Sequence, residues 1–413
     1  MDNFKEVSRK EAVEISRDIM HRAEARRLAD AVQDAKQYDM EGEMEKNVDI
    51  VVGMQYGSEA KGLVCQTIAP FYNLAVRTGG ANAGHTIRWP ECFCQASFTP
   101  GIEQLLIQTG TMNIFKARHI PSTILNPNCQ LALSAGALIN LDVLDEEIQY
   151  LKSVGIDIES RLHVDPNAGI VEKRHVADEH EKKGGVDLNE HQGSTREGIG
   201  AALIDRIGRR NFKLAYMEPY LQKFVGGKVC DLIRSSQKVL LEGSQGSLLS
   251  LYHGPWPYTT SRDVNASGIA AECGVPPHSI RNVIGVVRTY PIRVAGRSGP
   301  AGGREITWHD LSAKLGRPVE EKTTVTKRVR RIFEFSMDDF KYAVVLNRPN
   351  ILACTFLNYI NKDDEGIVEF DKLSKESRRF IDDIEAVAQC PILLMSTSAD
   401  TVIVRGELNG YLQ

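Results

Sequence analysis

The sequence predicts an α/β protein in which helices flank a largely parallel central sheet. Runs of β-branched and other apolar residues, typical of strands buried on both faces, recur along the 413 residues. Helical patterns separate several of these runs, and the hydrophilic stretch Glu172–Glu190, which lacks periodicity, predicts a mobile loop. The runs are VDIVV, KVLLEGS, NVIGVV, ILACTFL, PILLMST and TVIVRG, and helical patterns cover Val143–Val154 and Lys372–Ala388.

The first 47 residues differ from the rest, because they are charged and helical in pattern. Ser8 and Glu11 form a capping-box sequence, which marks the start of a helix. Apolar residues then recur at helical spacing at Ala12, Ile15, Ile19 and Ala23. We therefore predict a helical extension over residues 1–47, either an accessory packing element or a partner-binding arm, and a main domain over residues 48–413.

Composition argues against several classes of protein. The formal net charge of −4 gives no bulk electrostatic footprint for nucleic acid. No apolar run approaches the ~20 residues that span a bilayer, and the N-terminus lacks a signal-peptide pattern. Cys92 and Cys94 are the only close pair among eight scattered cysteines, and C-x-C without a second cluster is a poor zinc signal. We expect a soluble cytoplasmic protein with reduced thiols, without membrane association or direct nucleic-acid binding.

A loop suited to phosphates follows the first predicted strand. Gly57 and Gly62 bracket Ser58–Lys61, and glycines let backbone N–H groups approach phosphate oxygens. A helix that starts at this loop adds its positive end to the site. Against the P-loop pattern the glycines fit, but Leu63 stands where lysine is expected. The loop predicts a P-loop-like nucleotide-binding variant; taken alone, an ordinary strand-to-helix turn is the alternative.

Three further stretches carry residues suited to anionic ligands. RTGGANAGHTI, residues 77–87, combines three glycines with Asn82 and His85, and the stretch from 240 to 261 places Gln245 on a glycine-flanked turn. The basic cluster in TTVTKRVRR, residues 323–331, suits carboxylates and phosphates, a solvated basic face being the alternative. Loops that follow parallel strands gather at the carboxyl edge of the sheet, where ligands bind.

Together, these motifs resemble the adenylosuccinate synthetase family, whose members join aspartate to a purine nucleotide with a nucleoside triphosphate. They occur in the order of the family and span roughly residues 48–405, so the resemblance excludes the N-terminal extension. The family motifs are the first loop, GGxNAGHT, G-T-T-G-R-G-I-G, EGAQGTLLD and TVTGRPRR. They match, respectively, Gly53–Gly62, Gly79–Thr86, Gly193–Gly200, Glu242–Ser250 and Thr324–Arg331.

The resemblance implies a role for each matching residue. The catalytic group would be Ser58, Lys61, His85 and Gln245. The substrate nucleotide would be bound by Ser58, Asn82, Ser194, Thr195, Arg209, Gln245, Thr260 and Val294. Aspartate would be bound by Thr324, Val325, Thr326, Arg328 and Arg330. The triphosphate would be bound by Gly57, Glu59, Ala60, Lys61, Gly62, Gly84, His85, Thr86, Arg330, Asn358 and Ser396.

The resemblance also implies a cofactor and an assembly. Mg²⁺ would bridge triphosphate oxygens and the carbonyl of Gly84, with Ser58 as a weak ligand. Arg209 matches an arginine that in the family crosses from the partner subunit, so the site would be complete only in a homodimer.

Ser58 departs from the family pattern. The family loop reads G-D-E-G-K-G, and its aspartate accepts the N1 proton of hypoxanthine and helps to hold magnesium. A serine hydroxyl cannot act as a general base near pH 7, but it is shorter and accepts a hydrogen bond from a 2-amino group, as guanine has. Water, a transferred phosphate oxygen or Glu59 could take the N1 proton instead, and the sequence does not choose among them.

As the resemblance implies, the same substitution characterises the phage branch of the family, which acts on dGMP and makes a precursor of 2-aminoadenine for phage DNA. We therefore predict a ligase of aspartate and dGMP. Two alternatives are an adenylosuccinate synthetase that acts on IMP and a catalytically silent nucleotide-binding relative.

A second departure concerns the phosphate donor. The family reads the guanine of GTP with T-K-L-D, and the matching residues here are Thr355-Phe356-Leu357-Asn358. Loss of the charge-assisted pair to guanine typically forfeits about 1.5–3 kcal/mol, whereas an amide offers the donor and acceptor that suit adenine. We predict ATP or dATP as donor, with a loop-capping amide as the alternative reading of Asn358.

Overall fold

The structure is a computed structural model and describes residues 46–91, 112–181, 193–323 and 327–413. The chain divides into the units Met1–Lys46 and Asn47–Gln413. The described residues belong to the second unit, apart from Lys46. The predicted helical extension therefore lies outside the described residues except at its last two positions, and Cys92 and Cys94 lie outside them as well.

Nine of the described strands form one central sheet, in the order β16-β15-β14-β10-β1-β9-β2-β5-β7. The strands of the described chain are β1 (Val48–Gly53), β2 (Leu74–Arg77), β3 (His85–Pro90), β4 (Met112–Ala117), β5 (Gln130–Leu133), β6 (Leu138–Ile139), β7 (Leu162–Val164), β8 (Gly169–Ile170), β9 (Val239–Gly246), β10 (Ile280–Arg288), β11 (Ile292–Arg293), β12 (Glu305–Ile306), β13 (Arg331–Phe333), β14 (Ile351–Thr355), β15 (Ile392–Ser396) and β16 (Val402–Val404). Every neighbouring pair in this sheet is parallel except β15 and β16.

The six apolar runs of the sequence are β16, β15, β14, β10, β1 and β9, which are consecutive neighbours in the sheet. Every residue of β1, β14 and β15 is buried, because packed side chains cover both faces of the sheet. The predicted α/β class with a largely parallel central sheet is confirmed. The sequence analysis did not predict β2, β5 and β7 as strands; each has three or four residues.

Ten α-helices occur in the described part of the chain. They are α1 (Lys61–Ile68), α2 (Leu141–Ser153), α3 (Lys173–His180), α4 (Ile199–Ile207), α5 (Val229–Ser235), α6 (Ala266–Cys273), α7 (Trp308–Leu315), α8 (Met337–Asn347), α9 (Lys375–Ala388) and α10 (Leu408–Leu412). The two helical patterns of the sequence correspond to α2 and α9. Asparagine and serine caps start these helices, since Asn140 accepts from the N–H of Val143 and Ser374 from that of Ser377. Among the described ranges, no helix is long and apolar enough to cross a membrane.

The prediction of a loop over Glu172–Glu190 is wrong in its first half, because α3 covers Lys173–His180. A capping box starts the helix, with Glu172 N–H donating to Nδ1 of His175 at 3.0 Å. The helix is then held by contact with α4, whose first N–H groups donate to the carboxylate of Glu179. A polar helix fixed by such contacts shows no apolar periodicity in its sequence.

Candidate active site

A cavity of about 750 Å³ lies at the carboxyl edge of the central sheet. It is lined by the loops that follow β1, β2, β9, β10, β14 and β15, as expected for parallel strands whose loops gather at one edge. The predicted site residues in its lining are Gly57, Ser58, Ala60, Lys61, Gly62, Asn82, Gly84, His85, Thr86, Ser194, Thr195, Gln245, Thr260, Val294, Arg330, Asn358 and Ser396.

Some predicted site residues lie elsewhere. Glu59 is fully buried behind the first loop, and Arg209 is exposed beyond the end of α4. Arg328 is exposed outside the lining, and its backbone N–H donates to Thr323 Oγ1 at 3.0 Å. The predicted aspartate ligands Thr324, Val325 and Thr326 lie outside the described residues. The roles of all these residues stay predictions.

The first loop is held in shape by its own glutamate. Glu59 accepts from the N–H of Gly57 at 2.6 Å and forms a buried ion pair of 2.8 Å with Lys61, the first residue of α1. Gly53 makes room for this carboxylate, since a Cβ there would lie 2.5 Å from Glu59 Oε2. The arrangement fixes Lys61 beside the cavity at the start of a helix, where an anion is stabilised.

Strained backbone concentrates around the same cavity. Ser58 and Ala60 have a φ of 62°, and Gln245, Lys327 and Phe356 have values of 64°, 56° and 62°. All five line the cavity. A residue other than glycine in this left-handed region costs on the order of 1–2 kcal/mol, and such strain clusters at functional sites.

Ser58 lies between two arginines. Arg330 donates to its hydroxyl oxygen, and Arg288 donates to its carbonyl oxygen at 2.8 Å. Arg288 is fully buried and pairs with Glu321 at 2.6 Å. The position at which the family has a carboxylate therefore holds a neutral hydroxyl against a cationic neighbour.

Phe356 stacks on the same buried arginine. The guanidinium carbon of Arg288 lies 3.9 Å from the centre of the Phe356 ring, within cation–π range. A lysine at position 356, as in the family motif, would place a second cation against Arg288. The aromatic side chain stabilises the arginine instead, and thus the loop carbonyl that the arginine holds.

His85 is oriented by a buried carboxylate that the sequence analysis did not select. Its Nδ1 donates to Glu242, which also accepts from the N–H of Ser122 at 2.6 Å and its hydroxyl at 2.7 Å. Arg77 lies 3.5 Å from the same carboxylate. The signal for Glu242 was present, since it is an acidic residue in the otherwise apolar run KVLLEGS.

The charges of this pair follow from burial and from Arg77. Burial and the guanidinium of Arg77 lower the pKa of His85 to about 4, so the ring is neutral at pH 7. Burial acts to raise the pKa of Glu242, but His85, Arg77 and the Ser122 N–H hold it well below its usual range. An ionised carboxylate only accepts, so Nδ1 carries the ring proton.

Two buried acceptors at the cavity have no hydrogen-bond partner among the described residues. They are Gln245 Oε1 and Asn358 Oδ1. The amide of Asn358 has a defined orientation, because its Nδ2 donates to Glu365 at 2.6 Å, and Glu365 in turn pairs with Arg317 at 2.6 Å. A buried acceptor without a partner is costly, so both oxygens are suited to receive N–H or O–H donors of a ligand.

The predicted magnesium ligands are oxygen atoms at the cavity wall. Ser58 offers a hydroxyl and Gly84 a carbonyl, and both residues line the cavity. No cluster of three or more acidic, histidine or cysteine side chains that could hold a metal occurs in the described part of the chain. This neutral oxygen set fits an Mg²⁺ ion that takes most of its ligands from phosphates and water.

Comparisons with known proteins identify a family. The family model of adenylosuccinate synthetase matches residues 50–224 and 216–365. Adenylosuccinate synthetase of Methanocaldococcus jannaschii is 33% identical over 374 residues, which cover 87% of this chain and 97% of that protein. The fully ligated adenylosuccinate synthetase of Plasmodium falciparum shares the fold, with a TM-score of 0.69 at 21% identity over 87% of this chain and 100% of that chain.

A solved phage protein also resembles the chain. Succinoaminodeoxyadenylate synthetase of cyanophage S-2L, bound to dGMP and to dATP as an energy donor, matches with a TM-score of 0.68 at 29% identity. The match covers 89% of this chain and 99% of that chain. The resemblance to the phage branch predicted from Ser58 is thus confirmed.

Proposed function

Because the chain belongs to the adenylosuccinate synthetase family, and is thus a ligase that forms a C–N bond between aspartate and a purine nucleotide, we propose that it acts on dGMP with ATP or dATP as phosphate donor. The observation that carries the proposal is Ser58, a neutral hydroxyl that lines the cavity where the family has its aspartate. The likeness to the cyanophage protein bound to dGMP and dATP supports it.

The 2-amino group of guanine is the feature that the site would recognise. Ser58 is smaller than aspartate and leaves room beside N1 of the purine for one more heavy atom. Its hydroxyl has two acceptor lone pairs, of which one receives Arg330, so the second is available for an N–H of the amino group. The unpaired Gln245 Oε1 is a further acceptor in the same cavity.

The chemistry has two steps in this proposal. The γ-phosphoryl group moves to O6 of the purine while the N1 proton passes to water, to a phosphate oxygen or to Glu59, which turns a poor leaving group into phosphate. The amine of aspartate then attacks C6, phosphate departs, and the proton that the amine loses passes to phosphate or water. Lys61 and the N–H groups of the loop up to Gly62 bind the transferring group, because phosphoryl transfer depends on positioning and on neutralised charge. Mg²⁺ would be held by the Gly84 carbonyl, with Ser58 as a weak ligand only where its second lone pair is not taken by the amino group, and would supply further charge neutralisation.

The remaining predicted residues position the substrates. His85 packs closely against the first loop, since a Cβ on Gly62 would lie only 2.8 Å from the Cβ of His85. Its Nε2 is directed to O6 or to the bridging phosphate by the bond from Nδ1 to Glu242. Asn82, Thr195 and Thr260 bind the 5′-phosphate. The exposed Arg209 completes the site of a partner subunit in a homodimer, and Arg328 grips the carboxylates of aspartate.

A paired product assay tests the proposal. The protein is mixed with Mg²⁺, aspartate and ATP, together with either dGMP or IMP, and the products are identified by mass. We expect aspartate joined to dGMP and little or no product from IMP. Turnover of IMP alone would contradict the argument from the 2-amino group. Nucleotide binding without product from either substrate would indicate a silent relative.

The donor base is tested at Asn358. Its free Oδ1 suits the exocyclic amine of adenine, while its Nδ2 is engaged by Glu365. We expect Asn358→Asp to raise the KM for ATP by about tenfold, because the new carboxylate faces Glu365 and the amide is lost. The double variant Asn358→Asp with Glu365→Gln keeps the total charge of the pair. It also keeps a hydrogen bond between the two positions, because the new amide at 365 donates to the new carboxylate at 358. We expect this control to turn over GTP better than the wild type does; equal ATP and GTP kinetics in all three proteins would contradict the assignment.

A further inference from the structure

Three cationic side chains, Arg88, Lys116 and Lys327, line one wall of the cavity. The antiparallel pairing of β3 and β4 sets Thr86 directly opposite Lys116, and Arg88 follows Thr86 on the same face. The other face of β3 is buried, as its pattern of alternating burial shows. Burial, contact with Lys327 and the charge of Arg88 all lower the pKa of Lys116, so the three groups lie close together.

Two of the three cations differ in their acidic partners. Arg88 lies 3.4 Å from Asp400, whereas Lys116 has no ion pair within the described residues. Three like charges at one wall repel each other unless an anion lies between them. The wall is therefore suited to an anionic ligand.

Lys327 adds an independent argument. It has a φ of 56°, a conformation that glycine adopts without cost, and the matching position of the family motif TVTGRPRR is glycine. A lysine at this position strains the backbone, and its side chain lines the cavity. A role for that side chain in the cavity would explain why the strain is retained. Phe356 stands where the family motif has a lysine. Compared with the family pattern, the cavity therefore lacks a lysine at position 356 and has one at position 327.

The position of the cluster suggests which anion it binds. On one side lies Thr86, next to His85 and the first loop, where the γ-phosphate is proposed to bind. On the other side lies the loop after Ser396, where the donor base is proposed to bind and to which Asp400 connects Arg88. The α- and β-phosphates of a nucleotide lie between its base and its γ-phosphate. A tripositive wall also matches the contiguous charges of a polyphosphate better than the two separated carboxylates of aspartate, whose α-amino group is itself cationic.

We propose that Arg88, Lys116 and Lys327 form a polyphosphate subsite that binds the α- and β-phosphates of the donor nucleotide. The assignment rests on the proposed function, which places the γ-phosphate of the donor at the first loop and its base near Ser396. It adds three residues to those predicted to bind the triphosphate, and two of them are on the hairpin of β3 and β4.

Calorimetric titration with ADP and, separately, with GDP tests the subsite. We compare the wild type with Lys116→Gln and with Lys327→Asn, since asparagine tolerates a positive φ without the charge. Each variant is expected to bind the diphosphate about tenfold more weakly than the wild type. Lys327→Arg retains the charge and should bind within about twofold of the wild type, and Lys341→Gln, an exposed lysine on α8, serves as the control for loss of one charge.

The KM for aspartate shows whether the cluster binds the phosphates of the nucleotide or the carboxylates of aspartate. We expect it to change by less than about twofold in Lys116→Gln and Lys327→Asn. A raised KM for aspartate with unchanged diphosphate affinity would assign the cluster to the amino acid and overturn the proposal. Unchanged values for both ligands would overturn it too, as would a wild type that binds neither diphosphate. Because these titrations contain no acceptor nucleotide and use both bases, they can be interpreted even if dGMP is not the substrate.

Discussion

Replacement of Ser58 with aspartate is expected to lower kcat/KM for dGMP by about 100-fold and to raise that for IMP by about 100-fold. The longer side chain occupies the space proposed for the 2-amino group, and overpacking of a fitted site is costly. For IMP, the carboxylate supplies a base that can accept the N1 proton. Arg330, which donates to the hydroxyl of Ser58, would pair with the new carboxylate and keep it ionised.

Ser58→Asn is the matched control for this change. Asparagine has the size of aspartate and tolerates the left-handed backbone at this position, where φ is 62°, but it carries no charge and is no base. We expect it to lose dGMP turnover without gaining IMP turnover. Rates for both nucleotides in the three proteins, measured from product formation, decide the question. An aspartate variant that still processes dGMP at the rate of the wild type would refute the steric argument.

Ser58 and Phe356, two of the departures from the family pattern, contact the same buried side chain. Arg288 donates to the carbonyl of Ser58 and lies over the ring of Phe356. A change at position 356 therefore acts on the loop that carries Ser58 through this arginine. The substitutions at positions 58 and 356 are thus physically coupled, which the linear sequence does not reveal.

Local pattern predicted six of the nine strands of the central sheet and the glycine-rich loops at the cavity, because buried strands and glycine-rich turns leave their signal within about ten residues. It did not predict the side chains that brace those loops. Arg288 reaches Ser58 across 230 positions, and Glu242 reaches His85 across 157. Such contacts depend on which strands become neighbours, since β1 lies between β9 and β10. Arg317, which pairs with Glu365 across 48 positions, was missed because that contact too depends on the fold.

Glu242→Gln is expected to lower kcat by about 100-fold and to leave the KM values for both nucleotides within about threefold. His85 is neutral in the ligand-free site, so donation from Nε2 to a phosphate while Nδ1 donates to Glu242 requires that the ring gain a proton. The phosphate anion favours that proton, and the ionised carboxylate of Glu242 stabilises the imidazolium that results. Glutamine has nearly the same shape and accepts from Nδ1, but it lacks the charge, so orientation is retained while electrostatic support is lost. Ser122→Ala, which removes one hydrogen bond from the carboxylate and keeps its charge, should cost less than about tenfold.

A double-mutant cycle separates a role through His85 from a structural role. If Glu242 acts through His85, then His85→Asn combined with Glu242→Gln should be no slower than His85→Asn alone, because the carboxylate has no imidazole left to support. A carboxylate that merely braces the fold would instead lower kcat by the same factor in both backgrounds, and would lower the unfolding temperature in both. Additive losses in kcat would therefore contradict the role of Glu242 as a positioning residue. Non-additive losses with an unchanged unfolding temperature would place its effect at the reacting phosphate.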